Sequence, residues 1–550
     1  MYACPNCGSN IKFDPATQKM KCSYCDTMIS PHDYMSAKSA DEEKGIDLAE
    51  DEYEITYYTC PQCGGELITE DTTAATFCSY CGASTILEMR VGKEKKPDYI
   101  IPFKKTKEDC IAEYRKVLRR AIFAPSELRK DETIERFRGI YMPYWIYDTK
   151  SKGRISTKGS ISRRRGDYIY TKRYNVKADV EVNYGGISYD ASSSFEDRLS
   201  EAIAPFDLKD SDYFTSAYFS GFYADTSDVS SSLYDDEAGK RVAADAADKV
   251  YKNPEFKKYG VDRLEIMGEL ENQKSSVKHK IGMFPVWFLA NQHGDRVSYA
   301  VVNGQTGKVA MDLPLDIKKY FIGCAVIAIP LFLLLILSNI LITPNRLLLL
   351  TIAISVVVLI LANKQANLLF ARELLFSDKG YNSKKSPEQI LEDQKKLAGN
   401  VKIKKPKIKA KSGALGLGSA FAISMLIIGF TSQIFGAVGY ALGLVTFVFF
   451  MVISVSSNTS AKKNIKEKII VKAPVGRKIG TTIFPIITIS IAGLILLLQP
   501  ASDAFYYGTA ITGMVMTGIA VAKLVASHNV LTSRKLPQFN KRGGEEHEND

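Results

Sequence analysis

Three kinds of feature are missing from this sequence, and each absence argues against a class of protein. The first residues, MYACPNCGSN, have no basic start, apolar core or small-residue cleavage site, so we expect no secretory signal peptide. No Ser/His/Asp set, recognisable pair of carboxylates or phosphate-binding glycine loop stands out, so we predict that the protein is not an enzyme. The histidines are scattered and suggest no metal site: His32, His279, His293, His528 and His547.

The chain of 550 residues divides into two unlike parts. Nearly all the long apolar runs lie after Lys318, and the part before it is polar and mixed. The formal net charge of +11 would suit a nucleic-acid partner, but most of the excess lies in loops between the apolar runs, where membrane topology requires it. The sign of the charge is therefore weak evidence about partners.

Six apolar stretches are long enough to cross a lipid bilayer, which takes about 20 residues. They predict an α-helical membrane domain at 319–527, with spans at 319–341, 346–362, 414–432, 435–457, 479–499 and 504–526. No Asp, Glu, Lys, Arg or His lies in the middle of a span. This disfavours a transporter, because transport pathways usually need such groups.

The loops between these spans predict the orientation of the protein in the membrane. Residues 363–412 contain thirteen Lys/Arg against five Asp/Glu, and residues 458–478 contain seven against one. The positive-inside rule places both loops, the N-terminus and a tail at 528–550 in the cytoplasm, which predicts a multi-pass protein of the inner (cytoplasmic) membrane. The run Lys402–Lys411 suits anionic lipid headgroups, although positive-inside bias alone requires the same lysines.

Eight of the ten cysteines form four C-x-x-C pairs between Cys4 and Cys81. Fourteen residues separate the two pairs of each set, which indicates an internal duplication. Each C-x-x-C turn directs two thiolates at one ion, and two such turns complete a tetrahedral Cys4 site. The predicted ligands of two structural Zn²⁺ ions are Cys4, Cys7, Cys22 and Cys25 in a first zinc ribbon at 1–30, and Cys60, Cys63, Cys78 and Cys81 in a second at 57–90.

Four cysteines complete each predicted site and leave no open position for catalysis. Units of about 30 residues cannot bury enough apolar surface to fold alone, so the metal must supply folding free energy. Iron in a rubredoxin-like site is the alternative, because tetrahedral sulfur suits both metals. Asp26 stands where the other three pairs are followed by glycine, which puts the fine geometry of the first ribbon in doubt. We predict that the remaining cysteines, Cys110 and Cys324, are packed and unreactive.

Between the ribbons, residues 31–56 predict an acidic linker. Residues 41–54 contain eight carboxylates and one lysine. This sign argues against a nucleic-acid surface beside the ribbons, since phosphate binding needs cations. It suits a solvated tether or a basic protein partner.

Residues 98–316 predict a cytoplasmic α+β domain with a largely antiparallel sheet. Thr106 and Asp109 have the spacing of a capping box, and the helix that follows carries one apolar face, formed by Ile111, Tyr114, Leu118 and Ile122. A shorter helix is predicted at 133–137. The fold class is therefore multidomain: two tandem Cys4 zinc ribbons, this soluble domain, and a membrane domain of about six spans.

Strand patterns fill most of the rest of the soluble domain. From Gly153 to Val182, polar and apolar residues alternate in short runs broken by Gly159 and Gly166. Residues 299–309 read as two strands around an Asn303-Gly304 turn. These patterns predict antiparallel pairing.

One basic hairpin is the best candidate for binding nucleic acid or lipid headgroups. Residues 150–177 contain ten Lys/Arg and one acid, and cations alternate with aromatic residues around Arg163-Arg164-Arg165, Tyr168 and Tyr170. The alternative is a solvated strand face with its tyrosines packed inward. We favour this alternative, because one hairpin is weaker evidence than a full basic face.

These segments together resemble a family of bacterial membrane-anchored proteins, the TFIIB-type zinc ribbon-containing proteins. The resemblance covers about residues 1–315 and rests on the CPxCG pairs and on four segments: Ile101-Pro102-Phe103, residues 139–145, residues 218–222 and residues 303–308. It implies zinc binding and a place in envelope-stress assemblies at the membrane.

The leading hypothesis is a membrane-tethered adaptor or scaffold that binds a cytoplasmic protein partner at the inner membrane. The first alternative is a membrane-associated nucleic-acid-binding protein, which rests on the basic hairpin. The second is a transporter regulated by its soluble domain, which needs a polar pathway through the spans.

Overall fold

The computed structural model describes the soluble part almost completely and about half of the membrane part. The described residues are 2–41, 52–68, 78–83, 88–273, 275–337, 343–373, 378–385, 401–404, 468–471, 475–537 and 539.

The described residues form twelve α-helices and seventeen strands. The helices are α1 Pro31–Asp41, α2 Lys107–Arg120, α3 Asp131–Ile134, α4 Asp197–Ile203, α5 Asp235–Lys252, α6 Pro254–Lys257, α7 Arg263–Glu271, α8 Ile317–Leu337, α9 Pro344–Glu373, α10 Lys379–Ser383, α11 Val475–Leu498 and α12 Asp503–Leu531. The strands are β1 Ile11–Asp14, β2 Lys19–Cys22, β3 Met28–Ile29, β4 Glu52–Thr59, β5 Glu66–Ile68, β6 Glu88–Lys95, β7 Tyr99–Ile100, β8 Arg138–Arg165, β9 Tyr168–Asp190, β10 Asp212–Tyr213, β11 Tyr223–Ala224, β12 Ser275–His293, β13 Arg296–Asn303, β14 Val309–Met311, β15 Val401–Lys404, β16 Lys468–Val471 and β17 Arg534–Lys535.

A twelve-stranded sheet forms the soluble part. Its order is β10-β7-β12-β8-β11-β5-β4-β6, with β9 beside β8 and with β13 joining β12 to β14 and β17. Among the described strands, only β8–β11 and β7–β12 pair in parallel, so the sheet is largely antiparallel. The predicted second ribbon and acidic linker are not separate units: β4, β5 and β6 belong to this sheet, and α1 occupies the start of the linker.

The first four cysteines lie at a small separate sheet, β1-β2-β3, that packs on the large domain: Cys4 and Cys7 precede β1, Cys22 ends β2, and Cys25 lies between β2 and β3. The backbone N–H of Phe13 donates to the carbonyl of Ser220, whose hydroxyl donates to the carbonyl of Ile11. The Phe13 ring lies edge-on to Tyr218, with ring centres 5.0 Å apart. A unit this small gains from borrowing apolar surface, because its own core is thin.

Four segments that carry the family resemblance converge in one aromatic cluster. Phe103 stacks on Phe222 with ring centres 4.4 Å apart and meets the Trp287 ring edge-on at 5.2 Å. A Cβ on Gly139 would lie 2.5 Å from the Phe222 ring, and one on Gly304 would lie 2.5 Å from the Phe103 ring. Both glycines are therefore required by close packing.

Helix α2 confirms the predicted capping box and changes its predicted apolar face. Thr106 accepts from the backbone of Asp109, and the Asp109 side chain accepts from the backbone of Thr106. The buried residues are Cys110, Tyr114 and Leu118, whereas Ile122 is 66% exposed because the helix ends at Arg120. The predicted helix at 133–137 is one short turn, α3.

The residues predicted as several short strands form one long hairpin, β8–β9. Gly166 lies in its turn with a φ of +64°. Gly159 does not break a strand: it lies within β8, where a Cβ would lie 2.3 Å from the backbone oxygen of Tyr259. The predicted turn between two strands near Asn303 is confirmed, and the buried Asn303 side chain accepts from the backbones of Gln305 and Thr306.

Four described helices are long and apolar enough to cross a membrane: α8, α9, α11 and α12. They account for four of the six predicted spans, while the spans predicted at 414–432 and 435–457 lie outside the described residues. Helices α9, α11 and α12 pack around Gly513, whose Cα approaches the methyl groups of Thr351 and Thr488 closely enough that a Cβ would lie 2.8–2.9 Å away. Cys324 lies on α8 and is exposed among the described residues.

Polar contacts join the membrane helices to the sheet domain. Arg372, near the end of α9, lies 3.6 Å from Glu196 and 3.5 Å from Asp312. The Asn529 side chain, near the end of α12, accepts from the backbone N–H of Leu315 at 2.7 Å and donates to its carbonyl at 2.8 Å. The two parts are therefore connected by several contacts beyond the covalent chain.

Candidate metal centres

All four C-x-x-C turns have the same backbone geometry. In each, the N–H of the first cysteine donates to the carbonyl five residues later, and its own carbonyl accepts from the N–H four residues later. The residue that follows the second cysteine has a positive φ each time: Gly8 +71°, Asp26 +53°, Gly64 +69° and Gly82 +77°. Glycine adopts this conformation without strain, which explains its place in three of the four turns.

Asp26 adopts the conformation that the glycines adopt elsewhere. Its backbone N–H donates to the carbonyl of Cys22 at 3.0 Å, as in the other turns. Aspartate at this position therefore leaves the turn unchanged and costs backbone strain, because a residue with a side chain is about 1–2 kcal/mol less favourable than glycine at a positive φ.

The turns bring the eight predicted ligands together in two groups, each large enough for one metal ion. The sulfur atoms of each group lie within 4.8 Å of one another. Cys4 and Cys25 are 3.5 Å apart, Cys7 and Cys22 3.6 Å, Cys60 and Cys81 3.8 Å, and Cys63 and Cys78 3.7 Å. In a tetrahedral site with Zn–S bonds of about 2.3 Å, sulfurs are about 3.8 Å apart, so the spacing fits a metal and exceeds that of a disulfide.

The two centres differ in their exposure to solvent. In the first, Cys7 is exposed and Cys25 is half-buried, whereas all four cysteines of the second are buried. The hydroxyl of Thr27 lies 3.0 Å from the Cys25 sulfur, and this contact lowers the pKa of Cys25 to about 6. A low thiol pKa favours the thiolate, which is the form that binds metal.

The chain after the last membrane helix covers the second centre. Strand β17 pairs with β13, and the buried Arg534 donates to the hydroxyl of Tyr299 at 2.9 Å. The backbone N–H of Phe539 donates to the carbonyl of Cys63 at 2.8 Å, and the Phe539 ring lies edge-on to Tyr80 with ring centres 5.7 Å apart. Sequence reasoning missed these residues, because no local pattern links them to cysteines that lie so far away in the chain.

The other residues considered as ligands lie elsewhere. Cys110 is buried in the core beside α2, as predicted, and burial raises its pKa. His32 contacts Asp212 at 2.9 Å, and His279 contacts Asp235 at 2.6 Å. His547 lies outside the described residues.

A cluster of buried carboxylates lies where the segment after α9 meets the sheet domain. Asp197 accepts from the backbone of Lys379 at 2.9 Å and from the hydroxyl of Tyr234 at 2.9 Å. Burial, and then the nearby charge of Asp197, raises the pKa of Asp378 to about 8, and burial also raises the pKa of Asp190. The sequence did not indicate these residues, because acidic side chains are usually exposed.

The fold and the two centres define a class: a membrane protein whose β-rich domain carries two tetra-cysteine groups able to hold metal. The chain is similar to the "Uncharacterized protein YdjG" of Bacillus subtilis (strain 168), with 27% identity over 337 residues, which is 59% of this chain and 94% of that protein. No family model matches the chain, and no solved structure matches it. The resemblance to the TFIIB-type zinc ribbon family stays a prediction.

Proposed function

We propose that the protein is a membrane-tethered adaptor that holds a cytoplasmic protein partner at the inner membrane. The observation that supports this function best is the pairing of two closed tetra-cysteine centres with a sheet domain that is fixed to membrane helices. Closed centres stabilise a surface and leave no coordination position for a substrate. In this proposal the protein acts by binding a partner protein and not by catalysis at a metal ion.

Each centre takes one structural Zn²⁺ in this proposal. Cys4, Cys7, Cys22 and Cys25 hold the first ion, and Cys60, Cys63, Cys78 and Cys81 hold the second. Thiolate ligands in a tetrahedron suit zinc and iron alike, and zinc is favoured because the described residues contain no further redox group beside either centre. The first ion supplies folding free energy to the small sheet β1-β2-β3, which buries little surface of its own.

Contacts at the membrane junction support a platform of fixed orientation. The α9 residue Arg372 bridges Glu196 and Asp312, and Arg296 donates to the carbonyl of Val530 at 2.9 Å at the end of α12. A partner bound to the sheet domain is therefore held at a constant position relative to the bilayer.

Two strand pairings support a common side for the soluble parts. Strand β17, just after α12, pairs with β13 of the sheet domain, so the end of the last span lies on the same side as that domain. Strands β15 and β16 bring together parts of the two lysine-rich loops, Val401–Lys404 and Lys468–Val471. With the positive-inside rule, this side is the cytoplasm.

Affinity purification of the full chain from membranes, combined with cell fractionation, tests the adaptor function. A protein partner should co-purify with the wild type and leave the membrane fraction when Cys7 and Cys25 are both changed to serine. Cys324→Ser is the matched control, because it makes the same exchange on α8, away from both centres. Recovery of the same partners with the Cys7→Ser, Cys25→Ser variant would count against the adaptor, and reconstituted solute flux would favour a transporter.

Elemental analysis of the purified full chain tests the metal separately. We expect two zinc atoms per chain, falling to one in the Cys7→Ser, Cys25→Ser variant. Iron in place of zinc would favour an electron-transfer function.

A further inference from the structure

The end of the β8–β9 hairpin extends beyond the rest of the domain. Helices α5 and α7 pack on one face of the hairpin through a cluster that includes Ile155 and Val261. This cover ends where the backbone N–H of Ser160 donates to the carbonyl of Gly260 at 3.2 Å. Beyond it, each residue from 162 to 173 is exposed to solvent. We call residues 160–174 the arm.

The uncovered part of the helix-facing side is both cationic and aromatic. Residues that pair across two antiparallel strands share a face, as do alternate residues along each strand. The register pairs Arg163 with Tyr170, Arg165 with Tyr168, and Ile161 with Lys172. All lie on the face of Ile155, with Tyr174 joining them opposite Gly159.

The opposite face of the arm has a different composition. It pairs Ser160 with Arg173, Ser162 with Thr171, and Arg164 with Ile169. It therefore carries two arginines and no tyrosine. The three tyrosines of the arm all lie on the other face, which we call the tyrosine face.

Most cations of the arm are unpaired, in contrast to those nearer the domain; the exception is Arg164, which lies 4.0 Å from Asp167. Lys152 lies 3.7 Å from Glu181, and Arg154 lies 2.8 Å from Asp179, so the base of the hairpin is locally neutral. Within the described part of the chain, no carboxylate pairs with the arm residues Arg163, Arg165, Lys172 and Arg173. An anionic partner would supply the missing charge.

The arm points away from the end of the sheet that meets the membrane helices. Strand β12 ends at His293, which pairs with Arg296, the residue that contacts Val530 at the end of α12. Pairing of β8 with β12 reaches Ser151 at the far end of β12. Strand β8 continues from Ser151 to Arg165, a rise of about 46 Å at about 3.3 Å per residue. The arm therefore extends away from the protein's own bilayer, which makes that bilayer an unsuitable partner.

Electrostatic protection of a free strand edge explains only part of this arrangement. Lysine and arginine at an exposed edge prevent strands from pairing with other chains. That role does not require exposed aromatic rings, yet Tyr168 is 73% exposed and Tyr170 is 61% exposed. A two-stranded ribbon is also marginally stable without support. Both observations favour a partner that covers the tyrosine face.

We propose that the tyrosine face binds single-stranded nucleic acid. Tyr168 and Tyr170 offer exposed rings on which bases stack, and Arg163, Arg165 and Lys172 neutralise phosphates beside them. Tyr174 is half-buried, and its ring lies edge-on to Tyr259 with ring centres 5.3 Å apart, so it borders this platform. Stacking platforms with interleaved cations bind single strands with little sequence preference, because every base has an aromatic face. This activity goes beyond the adaptor function and does not depend on it.

The test uses the full chain in nanodiscs of neutral phosphatidylcholine and a fluorescein-labelled oligothymidine, followed by fluorescence anisotropy. Three neutralised phosphates predict that log K falls with log salt with a slope of about −2, from about −0.7 per phosphate on a single strand. The paired change Arg163→Ala and Arg165→Ala should weaken binding about tenfold or more. Arg164→Ala with Arg173→Ala removes the same charge from the opposite face and should change binding by less than about threefold.

The tyrosines are tested in the same way. Changing both Tyr168 and Tyr170 to Ala should weaken binding at least tenfold, while changing both to Phe should retain it, because Phe also stacks. Ile169→Ala, on the opposite face, is the control, and unchanged metal content in every variant shows that the protein remains folded.

Three results would overturn the proposal. Equal losses from the two arginine pairs would show a diffuse attraction of charge and no defined face. Equal binding of polyglutamate would indicate an acidic protein partner. Binding of phosphatidylglycerol vesicles without binding of the oligonucleotide would indicate a lipid surface.

Discussion

The contact of Phe539 with the second centre predicts how firmly that centre retains its metal. The ring packs against Tyr80 and comes near Gly65, where an added Cβ would lie 3.2 Å from it. Loss of a fully buried Phe ring costs about 3–5 kcal/mol. Because Phe539 is half-buried, we expect Phe539→Ala to cost about 2 kcal/mol, which is about thirtyfold at about 1.4 kcal/mol per factor of ten.

The assay measures the rate at which the purified protein loses zinc to a chromogenic chelator. Cys7→Ser and Cys25→Ser form the background, so that only the second centre contributes to the signal. Phe539→Ala should then release zinc about thirtyfold faster, and Phe505→Ala, which removes a ring exposed on α12, should not change the rate. Equal release rates with and without the Phe539 ring would refute the inference that the tail covers this centre.

Three further predictions concern the junction and the first centre. The raised pKa of Asp378 means that the folded state holds a proton that the unfolded state releases between about pH 4 and pH 8, so this group's contribution to stability falls as pH rises through that range. Asp378→Asn keeps an acceptor for the N–H of Tyr381, so it should be more stable than the wild type at pH 8.5 and close to it at pH 5, as measured by thermal unfolding. Arg372→Ala leaves Glu196 and Asp312 still paired with Arg198, so it should cost about 1–3 kcal/mol, seen as faster limited proteolysis, with unchanged digestion counting against the ion pair. Asp26→Gly should relieve about 1 kcal/mol of strain and slow zinc loss from the first centre, and a faster loss would contradict the strain argument.

Local chemistry made the two tetra-cysteine groups predictable from the sequence. Each C-x-x-C pair sets its own turn, and the glycine after it shows that the turn needs a positive φ. The four turns indeed share one backbone geometry, including the one that carries Asp26. The capping box of α2 and the turn at Asn303 were predictable for the same reason, because the residues that form them are near neighbours in sequence.

Long-range pairings were not predictable in this way. The contact between Arg296 and Ser533 joins residues 237 positions apart, and neither segment carries a pattern that names the other. The second cysteine unit looked independent because its spacing repeats that of the first, yet β5 pairs with β11 and merges the unit with the large sheet. The burial of the carboxylates was not predictable, because it depends on contacts with the distant residues Arg372 and Lys379. A single acidic residue in a sequence is normally expected on the surface.

The position of Phe539 also has a consequence for how the protein is made. The cysteines of the second centre, Cys60 to Cys81, are synthesised long before the membrane helices, whereas Phe539 is synthesised only after α12. A nascent chain can therefore form this centre early and yet cannot close it until the membrane helices have been delivered to the bilayer. A chain that stalls or is cleaved before β17 lacks the Phe539 ring against Tyr80 and leaves the Cys63 carbonyl without the N–H of Phe539.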